Sequence, residues 1–418
     1  MEKDTIKILI AEYQQKATEV SFMERNYKIE THLNYVFTGL RRAGKSYMMY
    51  NIIRQLLDSG YSRQEILYFN FEDDRIATIE AKDLDKIKLC YEEMYESKPI
   101  FFLDEIQIVD YWEKFARRLV DQGYRVFVTG SNAKMLSNEI ATTLGGRFMV
   151  KNIFPYSFTE FLLSQGIDIS DKNFIYKHRN DIVRLYETYF RFGGLPELSK
   201  ISDKRSWLSN LYQKIFLGDI ITRYQVRNSF ALQILIRKLA ESIKQPISYN
   251  RLAHIVSSSG KKISTDTVID YLEYMKESWL IFSVENIAAK IADKFSNRKY
   301  YFTDNGILNL FLIDPLTALL ENQVALELRR LYGSDVYYYH NGVEVDFFVL
   351  EKQLAIQVSY SIKNIETHKR EMIALLKMAK HIDVSDMLIL TKDEEDIIEG
   401  ESYTIKVIPV WKWLLANG

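Results

Sequence analysis

The sequence predicts an α/β protein: a parallel-sheet core, then a helical region and a helix-rich module, then a second α/β body. Three observations predict it. Five short apolar runs alternate with helix-length segments up to about residue 155. A glycine-rich turn joins the first run to the first long helix. Strand patterns then recede and return only beyond about residue 295.

Taken in order, residues 5–30 read as an amphipathic helix. The runs 34–38, 66–71, 99–104, 125–129 and 148–153 follow. Most are continuously apolar, which suits strands buried on both faces of a parallel sheet. Helical patterns separate them at 47–57 and 112–121. From 156 to 223 the pattern is helical, with a polar stretch near 164–181. Over 230–286 two helix starts are marked by capping residues, Ser248 for one and Ser264 or Thr265 for the other. A strand at 279–284 completes the order of a winged helix-turn-helix. Strand patterns at 299–303, 336–340, 345–350, 355–359, 387–390 and 405–410, with a helix at 319–331, make the last body. The expected divisions are 1–155, 156–229, 230–290 and 291–418.

Composition narrows the function. A chain of 418 residues, 47% hydrophobic and with 6 prolines, builds real cores. A net charge of −1 excludes a broadly basic nucleic-acid binder and leaves only a local basic patch. One cysteine, Cys90, excludes an internal disulfide framework and a cysteine-built zinc cluster, and suits a reducing compartment. The N-terminus lacks a signal-peptide pattern, and no apolar stretch is long enough to span a bilayer. The expectation is a soluble, cytoplasmic protein without a membrane partner.

Residues 39–46 read Gly-Leu-Arg-Arg-Ala-Gly-Lys-Ser, a complete P-loop. Its glycines let backbone N–H groups curl around phosphate oxygens. Lys45 reaches the β- and γ-phosphates, and the Ser46 hydroxyl ligates Mg²⁺. Gly39, Leu40, Arg41, Arg42, Ala43, Gly44, Lys45, Ser46 and Tyr47 are the expected ATP-binding residues. The apolar strand ending in Asp104-Glu105 supplies the rest: Asp104 as a second magnesium ligand, Glu105 to orient the attacking water. The strand ending Thr129-Gly130-Ser131-Asn132 is expected between the other two, presenting Asn132 or Ser131 to the γ-phosphate. Arg147, after Gly145-Gly146, is the candidate for neutralising developing charge, in cis or from a neighbouring subunit.

These motifs, with Phe154-Pro-Tyr-Ser-Phe-Thr-Glu-Phe161 and Arg191-Phe-Gly-Gly-Leu-Pro-Glu197, resemble the AAA-type ATPases of bacteria and archaea that carry a C-terminal restriction-endonuclease-like domain. The segments 301–307, Leu320-Glu-Asn322 and Gly342-Val-Glu-Val-Asp346 extend the resemblance over nearly the whole chain. It implies that Pro196 sits beside the nucleotide and reports its state. It also implies a tail with a helix acid at Glu321 and a strand acid at Asp346. On the next strand an active site needs Glu-x-Lys, but this chain has Gln357 and Ser359, with Lys363 out of phase. Nuclease activity is therefore not expected.

The second helix of the winged-helix segment carries Asp266, Asp270, Glu273 and Glu277 against Lys276, a poor match to a phosphate backbone, although Lys261 and Lys262 precede it. The leading expectation is an ATPase acting as a nucleotide-driven switch or assembly with a protein partner or itself. Two alternatives stay open: an ATP-dependent nucleic-acid protein, and an interaction protein stabilised by nucleotide without turnover.

Overall fold

Five parallel strands build the first unit, Met1–Phe154, of this computed structural model. The structure describes residues 2–25, 27–131, 142–171, 173–260, 262–290, 297–401 and 403–417. The strands are β1 (Asn34–Thr38), β2 (Ile66–Asn70), β3 (Ile100–Asp104), β4 (Val126–Gly130) and β5 (Phe148–Asn152), in spatial order β2-β3-β4-β1-β5. β4 thus lies between β1 and β3, as expected. β1, β3 and β4 are almost wholly buried, consistent with their unbroken apolar sequence. On one face Tyr35, Phe37, Phe102 and Phe127 stack ring on ring, with Phe102 and Phe127 centroids 4.7 Å apart. Around the sheet run α1 (Lys3–Glu19), α2 (Lys45–Asp58), α3 (Leu84–Met94) and α4 (Trp112–Asp121). α1 covers β2, the edge strand, and Gln14 donates to the Ile66 carbonyl at 2.7 Å.

The helix expected over 5–30 ends at Glu19, and Val20 is extended. The segment beyond it has another task. Arg25, buried, donates from Nη1 to the Ala43 carbonyl at 3.0 Å, and so braces the glycine-rich loop from behind.

The second unit, Pro155–Gly418, holds a mixed nine-stranded sheet in the order β13-β14-β12-β11-β10-β9-β7-β8-β6. These strands are β6 (Ile247–Ser248), β7 (Ile281–Asn286), β8 (Asn297–Phe302), β9 (Val336–His340), β10 (Glu344–Val349), β11 (Leu354–Ser359), β12 (Asp386–Thr391), β13 (Asp396–Glu399) and β14 (Thr404–Pro409). Helices Ser229–Glu241, Tyr249–Ser258 and Thr265–Glu277 precede the β7–β8 hairpin, and β6 pairs with β8. Ser248 and Ser264 cap the second and third of these helices by accepting the Arg251 and Thr267 N–H groups. The expected division at 290 falls inside this sheet: β7 pairs antiparallel with β8 and parallel with β9. Helix Ile365–Met378, helix Val410–Asn417 and β13 add to the elements read from sequence.

Three sequence motifs of this unit meet one another. Asp304 is fully buried and accepts the N–H groups of Gly194, Gly306 and Ile307. A β-carbon on Gly193 would stand 2.1 Å from Asp304 Oδ2, so only glycine fits there. Asn305 donates to the Phe190 and Leu319 carbonyls, and Asn322 to Phe302 O and Asn305 Oδ1. The 191–197, 301–307 and 320–322 motifs are therefore one hydrogen-bonded lock. Pro196 opens a short 3₁₀ turn (Pro196–Lys200) beside it. No helix among the described residues is long and apolar enough to cross a membrane.

Candidate active site

The loop after β1 turns so sharply because both of its glycines are needed. A β-carbon on Gly39 would lie 2.1 Å from the Ile153 carbonyl oxygen, and Gly44 has φ +101°, the left-handed region. Gly44 caps α2, whose first residue is Lys45, so the loop's N–H groups and the positive end of the helix converge at one place.

Lys45 is buried, with Nζ 3.3 Å from the Gly39 and Leu40 carbonyls and 3.5 Å from Glu105 Oε1. Glu105 is also buried. Its other oxygen accepts from Gln107 Nε2 at 2.6 Å and from the Ser131 N–H at 3.2 Å. Burial pushes its carboxyl up, but Lys45, Gln107, Arg41 and the Ser131 N–H outweigh that and hold it below the usual range. Its backbone is left-handed, φ +53°, a costly conformation for a non-glycine residue and one found at functional sites.

Asp104 is held by hydroxyls alone among the described side chains. Tyr68 donates to Oδ2 at 2.5 Å, Thr129 donates to Oδ1, and Ser46 also bonds it. Thr129 in turn accepts the Glu105 N–H at 2.8 Å, so one hydroxyl spaces the two acids. Burial, then the Glu105 charge, push Asp104 above the usual carboxylate range, against a smaller opposite pull from the three hydroxyls. The result is a carboxyl that no cation pairs with among the described residues, next to the Ser46 hydroxyl, at the end of a phosphate-type loop. That donor set fits a magnesium ion.

Around this centre, Arg41 pairs with Glu72 at 2.8 Å, Arg42 is exposed with φ +64°, and Tyr47 presents its ring edge to Tyr50. The Ser131 hydroxyl is buried and without a partner among the described residues. Asn132 lies outside the described residues. Arg147 stands apart from these residues. It precedes β5 beside Asn34, at the strand-entry edge of the sheet, about 13 Å along β1 from the phosphate loop. There it is ion-paired with Asp121 at 2.6 Å. Pro196 belongs to the second unit. Tyr68, Gln107, Thr129 and Arg25 were not singled out from sequence. Gln107 and Thr129 lie within recognisable motifs, whereas Tyr68 and Arg25 carry no local signal.

In the second unit Lys299, fully buried, stands among three carboxylates: Glu344 at 2.7 Å, Glu321 and Asp346 at 3.2 Å. Tyr301 also donates to Glu321. The pairing of β9 with β10 slips between Val345 and Phe348, a bulge at Asp346. Gln357 accepts the Asp346 N–H and donates to Glu344 O and Glu371 Oε2, while Ser359 bonds the Ser361 carbonyl. Glu321, Glu344, Asp346, Gln357, Arg370 and Lys244 line a cavity of about 540 Å³.

Residues 32–162 match the family model of an AAA domain, and residues 183–317 match a domain of unknown function, DUF8612. The chain is 33% identical over 397 residues to the uncharacterized protein MJ1544 of Methanocaldococcus jannaschii, covering 91% of this chain and 88% of the relative. It is 31% identical over 403 residues to an uncharacterized protein of Haemophilus influenzae, covering 92% and 95%. Among solved structures, a Walker-type ATPase of Pyrococcus abyssi aligns with TM-score 0.41 at 12% identity, over 74% of this chain and 95% of that one. The AMPPCP-bound DnaA of Aquifex aeolicus aligns with TM-score 0.25 at 15% identity, over 65% and 88%.

Proposed function

The chain belongs to one family with these archaeal and bacterial proteins and carries an AAA-type P-loop domain, and from that premise we propose that it binds ATP with Mg²⁺ and hydrolyses it as a nucleotide-driven switch. The observation that carries this reading is the buried Lys45–Glu105–Thr129–Asp104 chain at the mouth of the loop. In it Lys45 exchanges its contacts with two carbonyls and Glu105 for phosphate oxygens. Ser46 and Asp104 would hold the magnesium, which when bound would neutralise phosphate charge. Glu105, freed from Lys45 but still tethered by Gln107, orients the attacking water. Gln107 and the Ser131 N–H, which stay with it, favour its charged form and so its role as a hydrogen-bond acceptor for water. Residues 39–47 cradle the nucleotide, Asn132 faces the γ-phosphate, Arg147 from a second copy neutralises developing charge, and Pro196 relays nucleotide state.

The second unit reads as a docking body with a winged-helix module and a nuclease-like fold that lacks nuclease chemistry. Gln357 and Ser359 stand where the resemblance asks for a metal-binding Glu and a nucleophile-positioning Lys, and Lys299 supplies a fixed cation among the acids. The third helix of the module pairs Lys276 with Glu273 and accepts Tyr224 on Glu277, leaving an acidic surface that favours a protein partner over DNA.

The test is ATP turnover by wild type, Lys45→Ala and Glu105→Gln. We expect slow turnover in wild type, loss of nucleotide binding in Lys45→Ala, and retained binding with turnover down at least tenfold in Glu105→Gln. No turnover in wild type at any protein concentration sinks the enzyme reading, and a Glu105→Gln variant equal to wild type favours binding alone. DNA-stimulated, salt-sensitive turnover would restore the nucleic-acid alternative.

A further inference from the structure

Tyr68 is a large polar side chain that the phosphate chemistry does not require, yet it is one of the most deeply buried in the first unit, about 1% exposed. It sits on β2, opposite Phe102 of β3, and so on the same face as Asp104 two residues on. Its hydroxyl donates to Asp104 Oδ2 at 2.5 Å and accepts from Tyr50 Oη at 3.1 Å. Tyr50 lies on α2, the helix that starts at the phosphate loop, and the two rings pack at 5.1 Å. Tyr13 closes the other side edge-on at 6.0 Å. A phenol has one O–H to donate, and Tyr68 spends it on the acid.

We infer that Tyr68 is a positioning residue for magnesium: through Asp104 it sets how readily the site takes up the ion. This rests on the reading of Asp104 as a magnesium ligand. The physical argument is one of rotamers and lone pairs. With Oδ1 engaged by Thr129 and Oδ2 by Tyr68, the carboxylate is held in one orientation from two strands. The outer hydroxyls aim it without adding a positive charge that would compete with the ion. Lysine or arginine in place of Tyr68 would neutralise Asp104; phenylalanine would leave it free to turn. The Tyr50 hydroxyl orients Tyr68 in turn, so the helix that follows the phosphate loop and the acid are joined by a two-hydroxyl chain.

The experiment is a magnesium titration of fluorescent, non-hydrolysable ATP-analogue binding to the full chain, for wild type, Tyr68→Phe, Tyr50→Phe and Asp104→Asn. Tyr68→Phe keeps the ring packing and removes only the hydroxyl. We expect its magnesium midpoint to rise about tenfold, within the range for outer-sphere partners. Binding in EDTA and the melting temperature without ligand should stay near wild type. Tyr50→Phe should shift the midpoint less than Tyr68→Phe. In the Asp104→Asn background, adding Tyr68→Phe should change the midpoint no further. An unchanged midpoint in Tyr68→Phe overturns the inference, as does an equal loss of binding in EDTA with a lowered melting temperature, which marks a merely structural role. A wild-type protein that binds no analogue overturns the ATP reading and this inference with it, whereas wild-type binding with an indifferent Tyr68→Phe overturns this inference alone.

Discussion

Gly194 donates its backbone N–H to Asp304 Oδ2 at 3.0 Å, across 110 residues of chain. That bond ties the Phe-Gly-Gly-Leu-Pro turn to the Thr-Asp-Asn-Gly turn, and it makes both motifs explicable as structure. Gly193→Ala should therefore fail badly: its β-carbon collides with Asp304, at φ +76°. We expect a loss of at least ~3 kcal/mol in the stability of the second unit. Urea denaturation followed by tryptophan fluorescence reads this directly, because Trp207, Trp279, Trp411 and Trp413 lie in that unit.

The same carboxyl predicts a pH dependence. Burial pushes Asp304 up to about 7 in spite of its three N–H partners. Below the usual carboxylate range both folded and unfolded chains hold the proton. Between there and about pH 7 only the folded chain does, so each step up in pH costs stability, and above pH 7 the loss is complete. Burial places Glu321 in the same window, up to about 7. The second unit should thus be more stable at pH 5.5 than at pH 7.5. Asp304→Asn should flatten the slope by about one proton while lowering stability throughout, since an amide N–H₂ cannot accept both sets of backbone N–H groups.

Lys299→Met removes the only cation at 2.7–3.2 Å from Glu321, Glu344 and Asp346 among the described residues. Three acids facing one another without it should cost roughly 3–5 kcal/mol at pH 8. The deficit should shrink at pH 5.5 as Glu321, which burial pushes up to about 7, takes up a proton. A variant as stable as wild type at pH 8 would show that the ammonium does not hold these elements together.

Arg147→Ala separates two roles. Its pair with Asp121 is half-exposed, so stability should change by no more than ~0.5 kcal/mol. If Arg147 serves a neighbouring copy, turnover should fall at least tenfold, and wild-type turnover per chain should rise with protein concentration. Turnover independent of both the substitution and concentration would assign Arg147 to the Asp121 pair alone.

Much of the first unit is legible in the sequence because its signals are contiguous. A phosphate loop is eight adjacent residues, and Asp104-Glu105 ends an unbroken apolar strand. What escapes is what pairs at a distance. Tyr68 meets Asp104 across 36 residues, and Lys299 meets Asp346 across 47, with no spacing to announce either. Lys299 reads as a solvated strand residue until the fold closes over it. The first helix is overread for a related reason: residues 20–30 keep a helical pattern, but bracing Ala43 through Arg25 overrides it.

Linear order suggests a tail that recombination can exchange like a cartridge. The sheet says otherwise. β7 is hydrogen-bonded to β8 on one side and to β9 on the other, so any cut near residue 290 tears a ladder and bares two raw strand edges. Everything from the helix at Ser229 to the last strand is built around one continuous sheet. Change in that body is therefore confined to surface substitution, not the swapping of parts.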